Sequence, residues 1–175
     1  MNISLIGFMA TGKSSVGKAL AEKLDKKFID IDKLIELKEQ MPISEIFERK
    51  GEREFRKIES AVIEEVSALS GQNLVISCGG GAPLNAQNIE NLRRDGIVIC
   101  LSASLEVIYR RVQNNSSRPV FKTASPTRAQ IAELLESRKK SYENCDVCID
   151  VSKGRIGSIV RKILEFIDGQ KIKED

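Results

Sequence analysis

Apolar residues along this chain fall in short unbroken runs, separated by longer stretches where they recur every three or four positions. The short runs, at 2–8, 27–31, 73–78, 97–101 and 146–151, read as strands. Several lack the alternation of a half-solvated strand, so burial on both faces is expected. Residues 13–24 carry Val16, Leu20 and Leu24 at helical spacing, and 52–69 carry Phe55, Ile58, Val62, Val66 and Leu69. Further helices are expected at 127–142 and from about 155 to 167, the last ended by Gly169. Repeated strand–helix alternation predicts parallel pairing with right-handed crossovers, hence an α/β sandwich. No repeat, low-complexity block or interdomain linker interrupts the pattern, so 1–170 reads as one domain and 171–175 as a frayed tail. Only 114–126 (NNSSRPVFKTASP) breaks the regularity. It is polar, holds two of the four prolines and joins two helical patterns, as a lid or binding loop does.

Composition narrows the chemistry. The 175 residues are 41% hydrophobic and 30% charged, an ordinary globular balance. A formal charge of +3 is too slight to imply nucleic acid or an anionic membrane, and 5% aromatics with no Trp offer no base-stacking surface. The chain has no histidine, which excludes Ser-His and Cys-His nucleophile pairs and every His-containing metal site. No secretory leader or membrane-length apolar window is visible, so the cytoplasm is the expected location. Cys78 and Cys100 lie in apolar runs. Cys145 and Cys148 form a lone Cys-x-x-Cys, read as buried or incidental thiols rather than a metal or redox site.

The strongest signal is Gly7-Phe8-Met9-Ala10-Thr11-Gly12-Lys13-Ser14, which fits the eight-position P-loop pattern between a strand and an amphipathic helix. Its glycines let backbone amides turn inward around phosphate oxygens at a helix N-terminus. Lys13 is placed to reach the β- and γ-phosphates, and Ser14 to set its hydroxyl on Mg²⁺.

The acid that P-loop ATPases and GTPases carry at a second buried strand end is missing, because 73–78 runs into Gly79-Gly80-Gly81. The guanine-reading Asn-Lys-x-Asp is absent too. Carboxylates appear instead at Asp30-Ile31-Asp32, at the end of the strand 27–31. On extended backbone their side chains project the same way, toward the carboxyl ends of the strands where ligands bind. One acid associated with the metal and one facing an acceptor hydroxyl is the inferred chemistry; the bland reading makes Asp32 a cap for a helix beginning at Lys33. The three glycines suit close approach of backbone to a ligand, or merely a tight turn.

Arg138 shares one helical stripe with Ile131, Leu134, Leu135 and Tyr142, where a core residue is expected, so it requires an anionic partner. Arg56 lies at the edge of its stripe with Glu52 and Glu59 in reach, so an ordinary ion pair explains it equally well. Arg118, in the polar loop, is suited to closing over transferring phosphate.

Together these motifs resemble the shikimate kinase family: GFMATGKSS at 7–15, Asp30-Ile31-Asp32, Phe55-Arg56-Lys57-Ile58-Glu59, the triple glycine, Arg118-Pro119, and Arg138 with Tyr142. The resemblance implies a P-loop kinase fold, with a five-stranded parallel sheet in order 2-3-1-4-5, a substrate-binding region over about 32–60 and a lid over about 112–126. It implies transfer of the ATP γ-phosphate to the 3-hydroxyl of shikimate, in aromatic amino-acid biosynthesis through chorismate, by a monomer using Mg²⁺. Carried across, Gly7, Ala10, Thr11, Gly12, Lys13, Ser14 and Ser15 hold nucleotide phosphates. Ser14 holds the metal, and Asp30 does so through water. Asp32 contacts acceptor hydroxyls and is the candidate base; Arg56 and Arg138 hold the substrate carboxylate, with Gly79, Gly80 and Gly81 beside them. Arg118 is the lid arginine that meets phosphate, and Arg111, next to Arg110, stacks on adenine. Lys140 departs from the family pattern, which often has Pro there, and that bears on the local helix path and the aim of Arg138.

Other readings are another small-molecule P-loop kinase, such as a gluconate kinase, or a non-catalytic ATP-binding module. A nucleoside monophosphate kinase fits less well, because the lid offers only Arg118 and Lys122 as basic groups.

Overall fold

A computed structural model describes residues 1–69, 73–114 and 126–174, with side chains to 169. Five parallel strands, β1 (Asn2–Ile6), β2 (Lys27–Asp30), β3 (Leu74–Ser77), β4 (Gly96–Ser102) and β5 (Val147–Asp150), form one sheet in the order β2-β3-β1-β4-β5. The unbroken apolar runs have the expected cause: both faces of the central strands are covered. Ile3, Leu5, Val75, Ile99 and Leu101 pack on one face with Val16, Leu20 and Ile163, while Ile6, Leu74, Ile76, Val98 and Cys100 pack on the other with Phe55, Val62, Ile63 and Ile131.

Helices α1 (Lys13–Lys23) and α7 (Ile156–Glu174) cover the first face. The second carries α2 (Ile31–Glu39), α3 (Ile43–Ser67), α4 (Ala86–Arg93), α5 (Leu105–Gln113) and α6 (Arg128–Tyr142). Thr127 caps α6 in a reciprocal capping box with Gln130. From central β1 the chain builds β2 and β3 to one side, then β4 and β5 to the other. The crevice where the strand order reverses therefore opens at the carboxyl end of β1, and residues 7–14 sit there.

Four local expectations are corrected. The strand expected to end at residue 31 ends at Asp30, and α2 begins at Ile31, so Asp32 lies in a first helical turn rather than on extended backbone. The cap of this helix is Asp30, whose side chain accepts from Lys33 N at 3.3 Å. The helix expected at 52–69 starts nine residues earlier, at Ile43, and breaks at Gly51 (φ 78°, ψ 166°). Gly169 does not end the last helix, which continues through 171–174, the segment read as a frayed tail. Its position is open, with nothing within 4 Å of where a Cβ would stand, and a solvent-side glycine costs a helix only about 1 kcal/mol. All four cysteines are free thiols; Cys100 and Cys148 are register partners on β4 and β5. No described helix is long and apolar enough to cross a membrane.

Candidate active site

The phosphate loop owes its path to its first glycine. Gly7 has φ 136°, and a Cβ there would lie 2.2 Å from the carbonyl oxygen of Leu101 on the neighbouring strand, so only glycine lets the chain leave β1 in this direction. Thr11 Oγ1 ties the loop to itself by donating to Phe8 O at 2.8 Å, and Gly12 (φ 94°) opens α1. Lys13 lies back across the loop, Nζ donating to Gly7 O and Phe8 O at 2.9 Å each. Ala10, Thr11, Gly12, Lys13, Ser14 and Ser15 line a cavity of ≈ 500 Å³. Arg111 lines it as well and donates to Ala10 O at 3.0 Å, whereas Arg110 is exposed.

A carboxylate from the sheet edge reaches the phosphate loop. Asp30 is in register with Ser77 across β2 and β3, which brings its carboxylate beside α1. Ser14 Oγ donates to Asp30 Oδ2 at 2.6 Å and lies 3.3 Å from Ser77 Oγ. The hydroxyl and carboxylate oxygens are the hard donors that suit Mg²⁺, which keeps most of its water and takes few protein ligands. Among the described residues, no group of three or more His, Cys, Asp or Glu is arranged to hold a metal by itself.

A second cavity of ≈ 420 Å³ adjoins the first and is lined by Asp32, Arg56, Glu59, the three glycines and Arg138. A side chain on each glycine would meet a different neighbour. A Cβ on Gly79 would sit 2.5 Å from Glu59 Oε1 and 2.7 Å from Asp32 Oδ1. One on Gly80 would be 3.2 Å from Met9 N, and one on Gly81 would be 2.3 Å from Arg56 Nη1. Arg56 donates from Nη1 to Glu59 at 2.7 Å and from Nη2 to Glu52 at 3.1 Å, so the local ion pairs exist and the guanidinium still borders the cavity. Arg138 is buried, as its stripe position required.

Glu59 is the site residue that sequence alone marks only as an ion-pair partner. It is 1% exposed, and its Oε1 has no hydrogen-bond partner. Burial pushes its carboxyl above the ordinary range against the pull of Arg56, with nearby Asp32 pushing the same way and Arg138 opposing. A signal for it exists in the sequence: Glu59 falls between Phe55 and Val62 on the apolar stripe of its helix. Arg118 and Lys122 lie outside the described residues.

A phosphate loop with Lys13 and Ser14, an acid beside the serine, and an abutting cavity lined by Arg56 and Arg138 define a P-loop phosphotransferase acting on a small acceptor. Residues 9–168 match the family model for shikimate kinase. A shikimate kinase from Sulfurihydrogenibium sp. is 44% identical over 166 residues, covering 95% of this chain and 97% of that protein. The solved structure of shikimate kinase from Acinetobacter baumannii in complex with shikimate superposes with a TM-score of 0.90 at 36% identity, covering 97% of this chain and 94% of that one. A gluconokinase from Sinorhizobium meliloti shares the fold, at a TM-score of 0.57 and 18% identity over 99% of this chain and 97% of that one. The chain belongs to the shikimate kinase family.

Proposed function

We propose that this protein transfers the γ-phosphate of ATP to the 3-hydroxyl of shikimate, giving shikimate 3-phosphate and ADP, in cytoplasmic aromatic amino-acid biosynthesis through chorismate. The observation that carries the reading is the convergence of Arg56, Arg138 and Asp32 on one cavity that adjoins the phosphate loop. Two guanidiniums suit a carboxylate, and an acid at the loop side suits a hydroxyl.

Phosphoryl transfer asks for alignment and charge neutralisation more than covalent help. Arg56 and Arg138 hold the acceptor carboxylate, and Gly80 meets its ring. Asp32 orients the 3-hydroxyl and takes its proton as the oxygen–phosphorus bond forms and the bond from the γ-phosphorus to the β–γ bridging oxygen breaks. Lys13 swings from its loop carbonyls to the β- and γ-phosphates, and Arg118 in the lid meets the transferring group. Arg111 lies beside the adenine. Ser14 directly and Asp30 through water would hold Mg²⁺, which when bound would neutralise charge on the phosphate oxygens. The segment 32–60, broken at Gly51, is the substrate-binding region.

Phosphorus and carbon NMR of the product tests this directly. A single new monoester on oxygen 3 of shikimate is expected; an ester on another oxygen, or none, contradicts it.

A further inference from the structure

The mechanism leaves one buried contact without a purpose. Tyr142 lies one turn beyond Arg138 on α6, and its hydroxyl donates to Gly80 O at 2.6 Å, joining residues 62 positions apart. Its ring meets that of Phe8, in the phosphate loop, edge to face at 6.4 Å between centroids. Burial pushes the phenol up to about 12, against the pull of Arg138, so the hydroxyl remains a donor at any working pH.

Gly80 O belongs to the peptide joining Gly80 to Gly81. That peptide is trans, since the described chain has no cis bonds, so its N–H points opposite to its carbonyl. With the carbonyl turned toward Tyr142, the amide of Gly81 is turned away from it, and Gly81 borders the cavity that Arg56 also lines. A glycine pair has the freest backbone available, and this peptide would otherwise flip readily.

We infer that Tyr142 is a positioning residue for the acceptor: its hydroxyl locks the Gly80–Gly81 peptide so that Gly81 N–H donates into the cavity beside Arg56. An anionic group held by Arg56 thereby gains a backbone donor at a fixed angle. This rests on the proposed reading that the cavity takes the carboxylate of shikimate. Tyr142 lines neither the phosphate-loop cavity nor the one beside Arg56; it acts through the peptide.

The test is Tyr142→Phe, which keeps the ring against Phe8 and deletes only the donor. The KM for shikimate is expected to rise about fivefold to tenfold, the worth of one positioned hydrogen bond, with kcat and the KM for ATP within about twofold. With the methyl ester of shikimate, whose acid group carries no full charge, the rise is expected to fall below about twofold. A merely structural role would instead raise both KM values together and lower the melting temperature in proportion. Tyr142→Phe with an unchanged KM for shikimate, or with an equal effect on the ester, overturns the inference while wild-type turnover leaves the reading intact. Failure of the wild type to phosphorylate shikimate overturns both.

Discussion

Ser14 and Asp30, sixteen residues apart, are joined by a 2.6 Å hydrogen bond that carries an edge-strand carboxylate to the first turn of the phosphate-binding helix. An acid from β2 thus stands beside Ser14 although the second buried strand ends without one.

If that pair serves the metal, Asp30→Asn should raise the Mg²⁺ concentration for half-maximal turnover about 10- to 100-fold, the usual cost of losing a group that orients a metal ligand. Asparagine still caps α2, so stability should hold. Asp30→Ala should add about 1 kcal/mol of lost stability by removing the cap. A Mg²⁺ titration of each variant, beside its denaturation curve, separates the two effects.

Gly7 and Gly12 both have positive φ but differ in surroundings. At Gly7 an added methyl meets a backbone oxygen at 2.2 Å; at Gly12 nothing lies within 4 Å. Gly7→Ala should therefore cost about 3 kcal/mol or more, combining strain with overpacking against backbone that cannot move. Gly12→Ala should cost about 1 kcal/mol. Chemical denaturation of both variants gives the comparison, and equal costs would contradict it.

Gly79→Ala should spare the nucleotide and damage the acceptor. Its methyl falls on Glu59 and Asp32, side chains that move at the expense of their aim. The KM for shikimate should rise more than about tenfold while ATP affinity stays within about twofold. Steady-state kinetics with shikimate and isothermal titration with ATP read the two effects.

Glu59 should leave a pH signature. Its carboxyl is held above the ordinary value chiefly by burial, so the native state binds this proton more tightly than the unfolded chain does. Its contribution to stability is therefore fullest below the unfolded value and declines as pH rises through the native one. Glu59→Gln mimics the protonated form and does not titrate. The stability of wild type relative to that variant should fall as pH is raised from about 4 to about 8, followed by melting temperature. A difference that rises with pH contradicts the dominance of burial.

The phosphate loop is legible in the sequence because its geometry is local: eight consecutive residues fix their own turn. Arg138 is legible because a charge on an apolar stripe has one explanation. Glu59 carries the same signal, but Arg56 one turn away offers it a ready partner and hides its burial. Asp30 and Asp32 stand out in the sequence for a geometry they do not have. The helix begins between them, so a cap and a first-turn acid stand where two strand-end acids were expected. The bond from Tyr142 to Gly80 cannot be read from either segment, because it exists only once α6 packs beside the end of β3. Gly169 misleads because a glycine signals a helix end only where the chain needs a left-handed turn, and here the helix runs on past it.

ADP release from Mg-ATP by the wild-type protein, measured alone and with shikimate, gluconate or a nucleoside monophosphate, tests the central claim most directly. Rapid release with shikimate and only background release with the others is the predicted result. Release that favours gluconate or a nucleotide, or that needs no acceptor, would contradict the assignment of the cavity formed by Asp32, Arg56 and Arg138.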